Sequence, residues 1–434
     1  MLESIWTKST ALPQFGFLEG DIRTDVLVIG GGLAGLLCAW RLQRAGVECV
    51  LVEAGEVCHG VTGHTTAKVT VQHGLIYHKL LRRLGAERTR QYLGANLAAL
   101  EEYRRLSREI PCGFEEQDSY IYTTESARRL EQELEALEKL GCPGELVREL
   151  PLPITAAGAV RVPGQGQFHP LQFAAGIAQG LRIYEHTPVR EFTGNAVTTP
   201  RGTIRAEKIV VCTHFPIFNK HGSYFLKQYQ HRSYVLALEN APNIRGMYAD
   251  ERDAGMSFRR AGELLLLGGG GHRTGKEGGG WRELSQFAQT HWPRAEEVCR
   301  WAAQDCMTLD GAPYIGQYSS RTPNLFVATG FNKWGMTSSM AAAMILEQLV
   351  QEKESPYADA FDPSRSMLHP QLAINLLEST AGLLTPTTPR CPHMGCALKW
   401  NSQEHTWECP CHGSRFTAEG RRLDGPANAD KGKK

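Results

Sequence analysis

Cysteines and histidines near the C-terminus have the residue types and spacing of a metal centre. Cys391 and His393 are followed, after fifteen intervening residues, by Cys409 and His412. Two thiolates and two imidazoles divided between two short segments are the ligands of a [2Fe–2S] cluster in which one iron takes two cysteines and the other two histidines. The same residue types also bind structural zinc. We favour the cluster, because Cys-x-His spacing suits a single tetrahedral ion poorly and zinc leaves two further cysteines of this region unexplained.

A glycine-rich turn near the N-terminus has the pattern of a dinucleotide site. Gly30, Gly32 and Gly35 form G-x-G-x-x-G between an apolar strand and a helix. The first glycine permits the tight turn, the second admits a pyrophosphate, and the third lets helix and strand pack closely. Glu53 ends the next strand, where a carboxylate can accept both ribose hydroxyls. A second strand–glycine–helix passage at residues 330–339 favours FAD over NAD, because a helix N-terminus there can face the flavin pyrimidine.

Four segments together resemble the D-amino-acid oxidase/glycine oxidase superfamily of FAD-dependent oxidoreductases. They are the N-terminal glycine motif and residues 60–74, 308–316 and 328–345, and the resemblance covers about residues 20–352. It implies a second set of residues along the flavin, its pyrophosphate or its adenine: Gly63, Thr65, Thr66, Ala67, Lys68, Val189, Thr213, Gly330, Gly335, Met336 and Thr337.

The tail resembles the cluster-binding part of Rieske proteins of the cytochrome bc type. By that likeness Cys396 and Cys411 form a disulfide between the two ligand loops, and Ser414 bonds a bridging sulfide. Gly425 and the proline after it resemble the covering loop. Phe416 stands where high-potential members carry a tyrosine, which implies a lower potential. The module is short, so we expect the cluster, the disulfide or docking on the flavin domain to stabilise it.

Substrate residues are harder to find by pattern. A carboxylate substrate needs an arginine clamp, and Arg259 is the candidate, followed by Tyr248. Lys333, or Lys68, could place a cation near the flavin.

The elements predict an α/β fold, α+β overall. A Rossmann-type FAD-binding domain (parts about 20–80, 150–215 and 300–352) interleaves with an antiparallel substrate domain (about 81–149 and 216–299). Residues 353–390 lack strong periodicity and predict a linker. Residues 391–434 form a small Rieske-like β lobe.

Composition excludes some classes of function. The 434 residues carry 47 Lys and Arg against 46 Asp and Glu, so the chain is not a general polyanion binder and no nucleic acid partner is expected. No apolar stretch is long enough to predict a membrane span. The N-terminus lacks the apolar segment of a secretory signal, which predicts the cytoplasm.

Together these features predict a flavin dehydrogenase. Hydride from an amine or amino-acid-like small molecule would reach FAD, and electrons would pass singly through the cluster to a one-electron carrier protein or other acceptor. The alternatives are reverse flow, an oxygen-using oxidase with a degenerate or zinc-bound tail, and a redox-sensing binding protein. The oligomeric state is left open.

Overall fold

Three β-sheets, with helices packed between and around them, organise the described part of the chain. The computed structural model describes residues 3–218, 221–386, 389–427 and 429–431. Within these residues the helices are α1 (Ile5–Ser9), α2 (Leu33–Arg44), α3 (Tyr77–Leu106), α4 (Ala127–Leu140), α5 (Pro170–Ala178), α6 (Tyr224–Lys227), α7 (Gly280–His291), α8 (Gly335–Val350), α9 (Ala358–Phe361) and α10 (Pro370–Leu384), with a 3-10 turn at Val61–His64.

The strands follow in the same order along the chain. They are β1 (Ile22–Ile29), β2 (Cys49–Val52), β3 (Lys68–Val69), β4 (Glu115–Thr123), β5 (Glu145–Val147), β6 (Gly158–Gln167), β7 (Arg182–Tyr184), β8 (Glu191–Thr193), β9 (Ala196–Thr199), β10 (Gly202–Val211), β11 (Gln228–Glu239), β12 (Met247–Asp250), β13 (Ser257–Ala261), β14 (Leu264–Arg273), β15 (Glu296–Thr308), β16 (Tyr314–Gln317), β17 (Leu325–Thr329), β18 (Lys399–Asn401), β19 (Thr406–Glu408), β20 (Arg415–Thr417) and β21 (Arg422–Asp424).

The first sheet has the order β16-β17-β10-β1-β2-β7, and the strands from β17 to β7 run parallel. The last four residues of β1 are buried, as expected for a strand covered on both faces. Helices α2 and α8 pack on this sheet and on each other. The predicted strand–turn–helix–strand start is confirmed within a few residues.

The second sheet is largely antiparallel and interleaved with the first. Its order is β15-β11-β14-β13-β12-β4-β6-β3, with β5 added to β6. Strands β3 to β6 belong to this second sheet, the next four strands, β7 to β10, belong to the first, and β11 to β15 belong to the second again. Such crossing confirms the predicted interleaving of the two sheets. Helix α3 begins at Tyr77 and is interrupted at Gly85, whose φ is +81°.

The C-terminal lobe is a four-stranded antiparallel sheet in the order β18-β19-β20-β21. The preceding segment 353–390 differs from the expected linker, because it contains α9 and the 15-residue helix α10. Among the described residues, no helix combines the length and apolar character that a bilayer crossing needs.

Candidate functional site: a flavin cavity beside a cluster-binding lobe

A cavity of about 1880 Å³ opens at the carboxyl ends of the parallel strands. Residues that follow β1, β2, β10 and β17 line it: Gly30, Glu53, Thr213 and Gly330. In open parallel sheets this edge is where nucleotide cofactors bind. Strands β11 and β15 of the second sheet supply another part of the wall.

The glycine turn is shaped by contacts that exclude a side chain. Gly30 has φ +110°, and a Cβ there would lie 2.5 Å from the Cys212 carbonyl oxygen. A Cβ on Gly35 would lie 1.9 Å from the Gly30 carbonyl oxygen, so strand and helix approach closely only because both residues are glycine. Gly32 is the N-cap of α2 and lines the cavity, leaving backbone there open to a phosphate.

Glu53 holds the turn and also faces the cavity. Its Oε2 accepts a hydrogen bond from the Gly31 amide at 2.7 Å, and its Oε1 accepts one from Gly55 at 2.8 Å. Each carboxylate oxygen has a second lone pair, which can accept a ribose hydroxyl. Val189 lies on the same wall.

The remaining residues predicted along the flavin divide into two groups. Those that line the cavity are Thr65, Thr66, Lys68, Thr213, Gly330, Gly335 and Met336. Gly63, Ala67 and Thr337 lie behind the wall. The Gly63 carbonyl accepts from Ser4 Oγ, and Thr337 Oγ1 donates to the Thr70 carbonyl at 3.0 Å. These three residues support the wall rather than form its surface.

Two of the predicted substrate residues do not line the cavity. Arg259 is buried away from the cavity wall, where its Nη1 donates to the Ala67 carbonyl at 2.9 Å. Tyr248 stacks on Tyr120 with ring centroids 4.5 Å apart and donates its hydroxyl proton to the Arg245 carbonyl. Both side chains are buried in the second sheet rather than exposed to the cavity.

The two predicted lysines do reach the cavity. Lys333 lies in a turn with its own φ at +70° and donates from Nζ to the Asp253 carbonyl at 2.6 Å. Lys68 donates to Thr66 Oγ1 at 3.3 Å. Burial and the nearby Arg259 charge lower the pKa of Lys68 to about 7. Lys68 can therefore change protonation state near neutral pH.

Sequence reasoning missed a carboxylate in this wall. Asp305, on β15, accepts from Ser233 Oγ at 3.2 Å, and no arginine or lysine forms an ion pair with it among the described residues. Burial raises the pKa of Asp305, although the charge of Lys333 partly opposes this. No signal in the sequence marks Asp305, because successive side chains of a strand point to opposite faces and the sequence does not show which face of β15 meets the cavity.

In the lobe, the four predicted cluster ligands converge from two turns. The Cys391 and Cys409 thiols are close enough to affect each other's ionisation, and the rings of His393 and His412 lie 5.0 Å apart. Interaction with the Cys409 thiol lowers the pKa of Cys391 to about 7. Burial lowers the pKa of His412 to about 3 and that of His393 to about 4, so both imidazoles are neutral and can coordinate iron.

The donor set fits a [2Fe–2S] cluster. Both ring nitrogens of His412 are buried without a well-formed hydrogen bond among the described residues, as an unfilled metal ligand would be. The sulfurs of Cys396, Cys409 and Cys411 also lie within 4.8 Å of one another. Cys396 and Cys411 form the predicted disulfide, which leaves Cys409 as the thiol of that group able to bind iron.

Two further elements enclose the disulfide and the ligand loops. The covering loop approaches so closely that a Cβ on Gly425 would lie 2.6 Å from Ser414 Cα. Ser414 Oγ accepts from the Ala427 amide at 3.1 Å. On the other side, a Cβ on Gly382 of α10 would lie 3.0 Å from Cys411 Sγ. Helix α10 is therefore part of the packing around the disulfide.

The lobe is docked so that one ligand faces the flavin domain. The His412 ring lies 5.8 Å from the Phe215 ring and 6.2 Å from the Phe225 ring. Phe215 also lines the large cavity. A single aromatic side chain thus separates the cavity from a cluster ligand.

Buried charges fix this docking. Arg232 of β11 donates from Nε to Glu404 Oε1 at 2.8 Å, and Arg415 of the lobe contacts the same carboxylate. Glu408 lies 3.6 Å from Arg415, which also pairs with Asp424 at 3.2 Å. The two guanidinium groups and the two glutamates are at most 8% exposed, so each charge depends on its partners.

Comparisons with known proteins agree with this geometry. A profile of the family described as FAD dependent oxidoreductase (DAO) matches residues 25–349, and one described as Rieske [2Fe-2S] domain matches residues 364–431. The second match begins before α10, so the Rieske-like part extends into the segment predicted as a linker.

Relatives cover most of the chain. A Bacillus subtilis protein described as the Rieske 2Fe-2S iron-sulfur protein YhfW is 35% identical over 98% of this chain and 96% of its own length. Gamma-glutamylputrescine oxidoreductase of Escherichia coli is 22% identical over 82% of this chain and 89% of its own. The crystal structure of glycine oxidase from Geobacillus kaustophilus superposes with a TM-score of 0.68 at 21% identity, covering 80% of this chain and 99% of that one. The chain therefore belongs to the FAD dependent oxidoreductase (DAO) family, binds FAD, and carries a C-terminal Rieske domain that binds a [2Fe–2S] cluster.

Proposed function

We propose that the protein is a dehydrogenase that oxidises an amine or amino-acid-like substrate at a C–N bond and delivers the electrons singly, through its Rieske domain, to an external one-electron acceptor. When bound, FAD accepts two electrons as a hydride and the cluster carries one at a time. The observation that carries the proposal is the position of Phe215, which lines the flavin cavity and contacts the ligand His412.

The protein's own residues favour transfer within the molecule. The ion network around Glu404 and the hydrogen bond from Gln304 Nε2 to the Gly413 carbonyl, at 2.8 Å, hold the ligand loop against β11 and β15. His412 is buried at this interface, whereas His393 is half-buried. We expect an external acceptor to approach the cluster from the more exposed His393 side.

Asp305 supports an amine as the substrate. Its carboxylate faces the cavity with a hydroxyl as its partner, so a cationic ammonium group would complete its electrostatic environment. Hydride transfer from carbon needs orientation of the substrate more than acid–base chemistry. Two similar proteins, gamma-glutamylputrescine oxidoreductase of Escherichia coli and glycine oxidase of Geobacillus kaustophilus, are named for substrates of the same chemical class.

The test is anaerobic addition of a panel of primary and secondary amines and amino acids to the purified holoprotein. We expect flavin bleaching by at least one compound, followed by the EPR signal of a reduced Rieske cluster in the same sample. Cys409→Ser should lose the cluster signal and turnover with cytochrome c as acceptor, yet keep flavin bleaching. Cys299→Ser, at a buried cysteine of β15, is the matched control. Full turnover with cytochrome c by Cys409→Ser would refute the electron path.

The substrate class has its own test. Asp305→Asn should raise KM for the bleaching amine by about tenfold or more, because a buried charge partner is lost, with a smaller change in kcat. Asp359→Asn, on the exposed surface, should leave both values unchanged. An unaltered KM in Asp305→Asn would remove Asp305 from substrate recognition.

A further inference from the structure

Helix α10 packs against the protein by its polar side and exposes its apolar side. Its inward side is polar: Asn375 is buried, accepts from Arg273 Nη1 at 3.0 Å and donates to the Leu226 carbonyl at 3.1 Å. Glu378 pairs with Lys276 at 2.8 Å. A helix that packs by its apolar stripe would show the opposite arrangement. The polar contacts attach α10 to the protein and leave its apolar side facing out.

The outward side forms a continuous aliphatic surface, which we call the α10 face. Leu377 is 71% exposed and Leu384 is 76% exposed. The other exposed apolar side chains of this surface are Leu368, Ile374, Leu376 and Leu383. No charged residue is exposed between Pro370 and Leu384. Contiguous apolar surface of this kind marks a binding site, since isolated exposed leucines alone would need no explanation.

Cations stand at both ends of the α10 face. Arg83 donates from Nη2 to the Leu368 carbonyl, 3.4 Å away, just before the helix begins. Its Nε also lies 3.7 Å from the buried Asp310 carboxylate, which Arg365 binds at 2.8 Å. Where the helix ends, Arg390 donates to the carbonyls of Leu383, at 3.2 Å, and Thr385, at 2.7 Å. The one carboxylate on the helix, Glu378, is already paired. Two arginines share the single carboxylate of Asp310, and Arg390 forms no ion pair among the described residues, so the α10 face combines aliphatic side chains with net positive charge.

We infer that the α10 face docks the protein on an anionic lipid surface. Interfacial helices bury aliphatic side chains at the boundary of headgroups and acyl chains, and nearby arginines attract anionic lipid. Two-fold pairing with a second copy would bring the cationic ends of the two helices together.

This docking would give the Rieske domain a fixed orientation toward the membrane. Gly382 packs on the disulfide between the ligand loops, and Met394, beside the ligand His393, is also exposed. A lipid surface at the α10 face would therefore lie close to the loop on the acceptor side of the cluster. The inference itself stands on α10 alone and does not require the proposed amine chemistry.

The experiment is flotation of the full-chain holoprotein with vesicles of phosphatidylcholine, with or without phosphatidylglycerol. We expect the wild type to float with the anionic vesicles, and less so at high salt because the arginines are then screened. The double variant Leu377→Gln/Leu384→Gln should lower the partition coefficient by about tenfold or more. Leu97→Gln/Val298→Gln replaces apolar residues exposed elsewhere, 40% and 42%, and should float like the wild type.

Flavin and iron content, measured on every sample, establish that each variant is folded. Failure of the wild type to float with anionic vesicles would overturn the inference. So would equal flotation of the wild type and the Leu377→Gln/Leu384→Gln variant. A wild-type dimer by light scattering that this variant converts to a monomer would instead assign the α10 face to a second copy. None of these results depends on finding a substrate.

Discussion

Replacing Glu404 with glutamine should loosen the Rieske domain from the flavin domain. Glu404 joins Arg232 on one side of the interface to Arg415 on the other, and all three side chains are at most 8% exposed. Glutamine keeps the size and one acceptor oxygen but removes the charge. Two buried guanidinium groups then share Glu408, 4.0 Å from Arg232 and 3.6 Å from Arg415, and the partly exposed Asp424.

The expected cost follows from this burial. Removing one partner of a buried ion pair typically costs about 3–5 kcal/mol, because the remaining charge stays desolvated. Glu408 and Asp424 remain as partial compensation, so we expect about 3 kcal/mol, at the lower end. Glu297→Gln is the control: its pair with Arg300 is 27–41% exposed, and such a change should cost less than about 1 kcal/mol.

The assay is urea unfolding, followed separately by the visible circular dichroism of the cluster and by flavin fluorescence. Glu404→Gln should move the cluster transition to lower urea and separate it from the flavin transition, while Glu297→Gln leaves the two together. If both variants shift the cluster transition by the same small amount, the buried network is not what holds the domain. The docking would then have to rest on apolar contacts such as that between Phe215 and His412.

Three further results are expected. The charges of Arg232 and Arg415 outweigh burial and lower the pKa of Glu404 below 4.5. The contribution of Glu404 to docking is therefore present above pH 4.5 and is lost as the pH falls through the lowered pKa. The cluster transition of the wild type should show this loss of stability, and that of Glu404→Gln should not. Gly35→Ala should abolish flavin binding, since its Cβ would lie 1.9 Å from a carbonyl oxygen, whereas Gly16→Ala, with nothing within 4 Å, should retain flavin by absorbance. Gly382→Leu should displace α10 from the disulfide and make α10 more susceptible to proteolysis. Ala381→Leu, on the exposed side of α10, should leave the rate of proteolysis unchanged.

Features set by local sequence were predictable. The turn at Gly30 and the cluster ligands depend on residues a few positions apart, so type and spacing suffice to place them. Arg259 shows the limit of such reasoning. Its hydrogen-bond partner Ala67 lies 192 positions away, and pattern cannot distinguish an arginine that clamps a ligand from one that holds a distant carbonyl.

Helix α10 was missed for a different physical reason. Periodicity identifies a helix by the apolar stripe that faces the core. Here the core side carries Asn375 and Gly382, and the leucines face outward, so the pattern gave no core-facing stripe. Asp305 was missed because its role depends on which face of β15 meets the cavity. The pairing of β15 with β11 decides this, and the local sequence does not show it.

The position of Arg415 and Asp424 has a thermodynamic consequence. Both side chains belong to the network that holds the Rieske domain, and both line the large cavity. A ligand that contacts them and the flavin domain at the same time binds the docked arrangement more tightly than the undocked one. By reciprocity, the factor by which docking strengthens binding of that ligand equals the factor by which the ligand strengthens docking. Occupancy of the cavity and docking of the Rieske domain are therefore thermodynamically coupled.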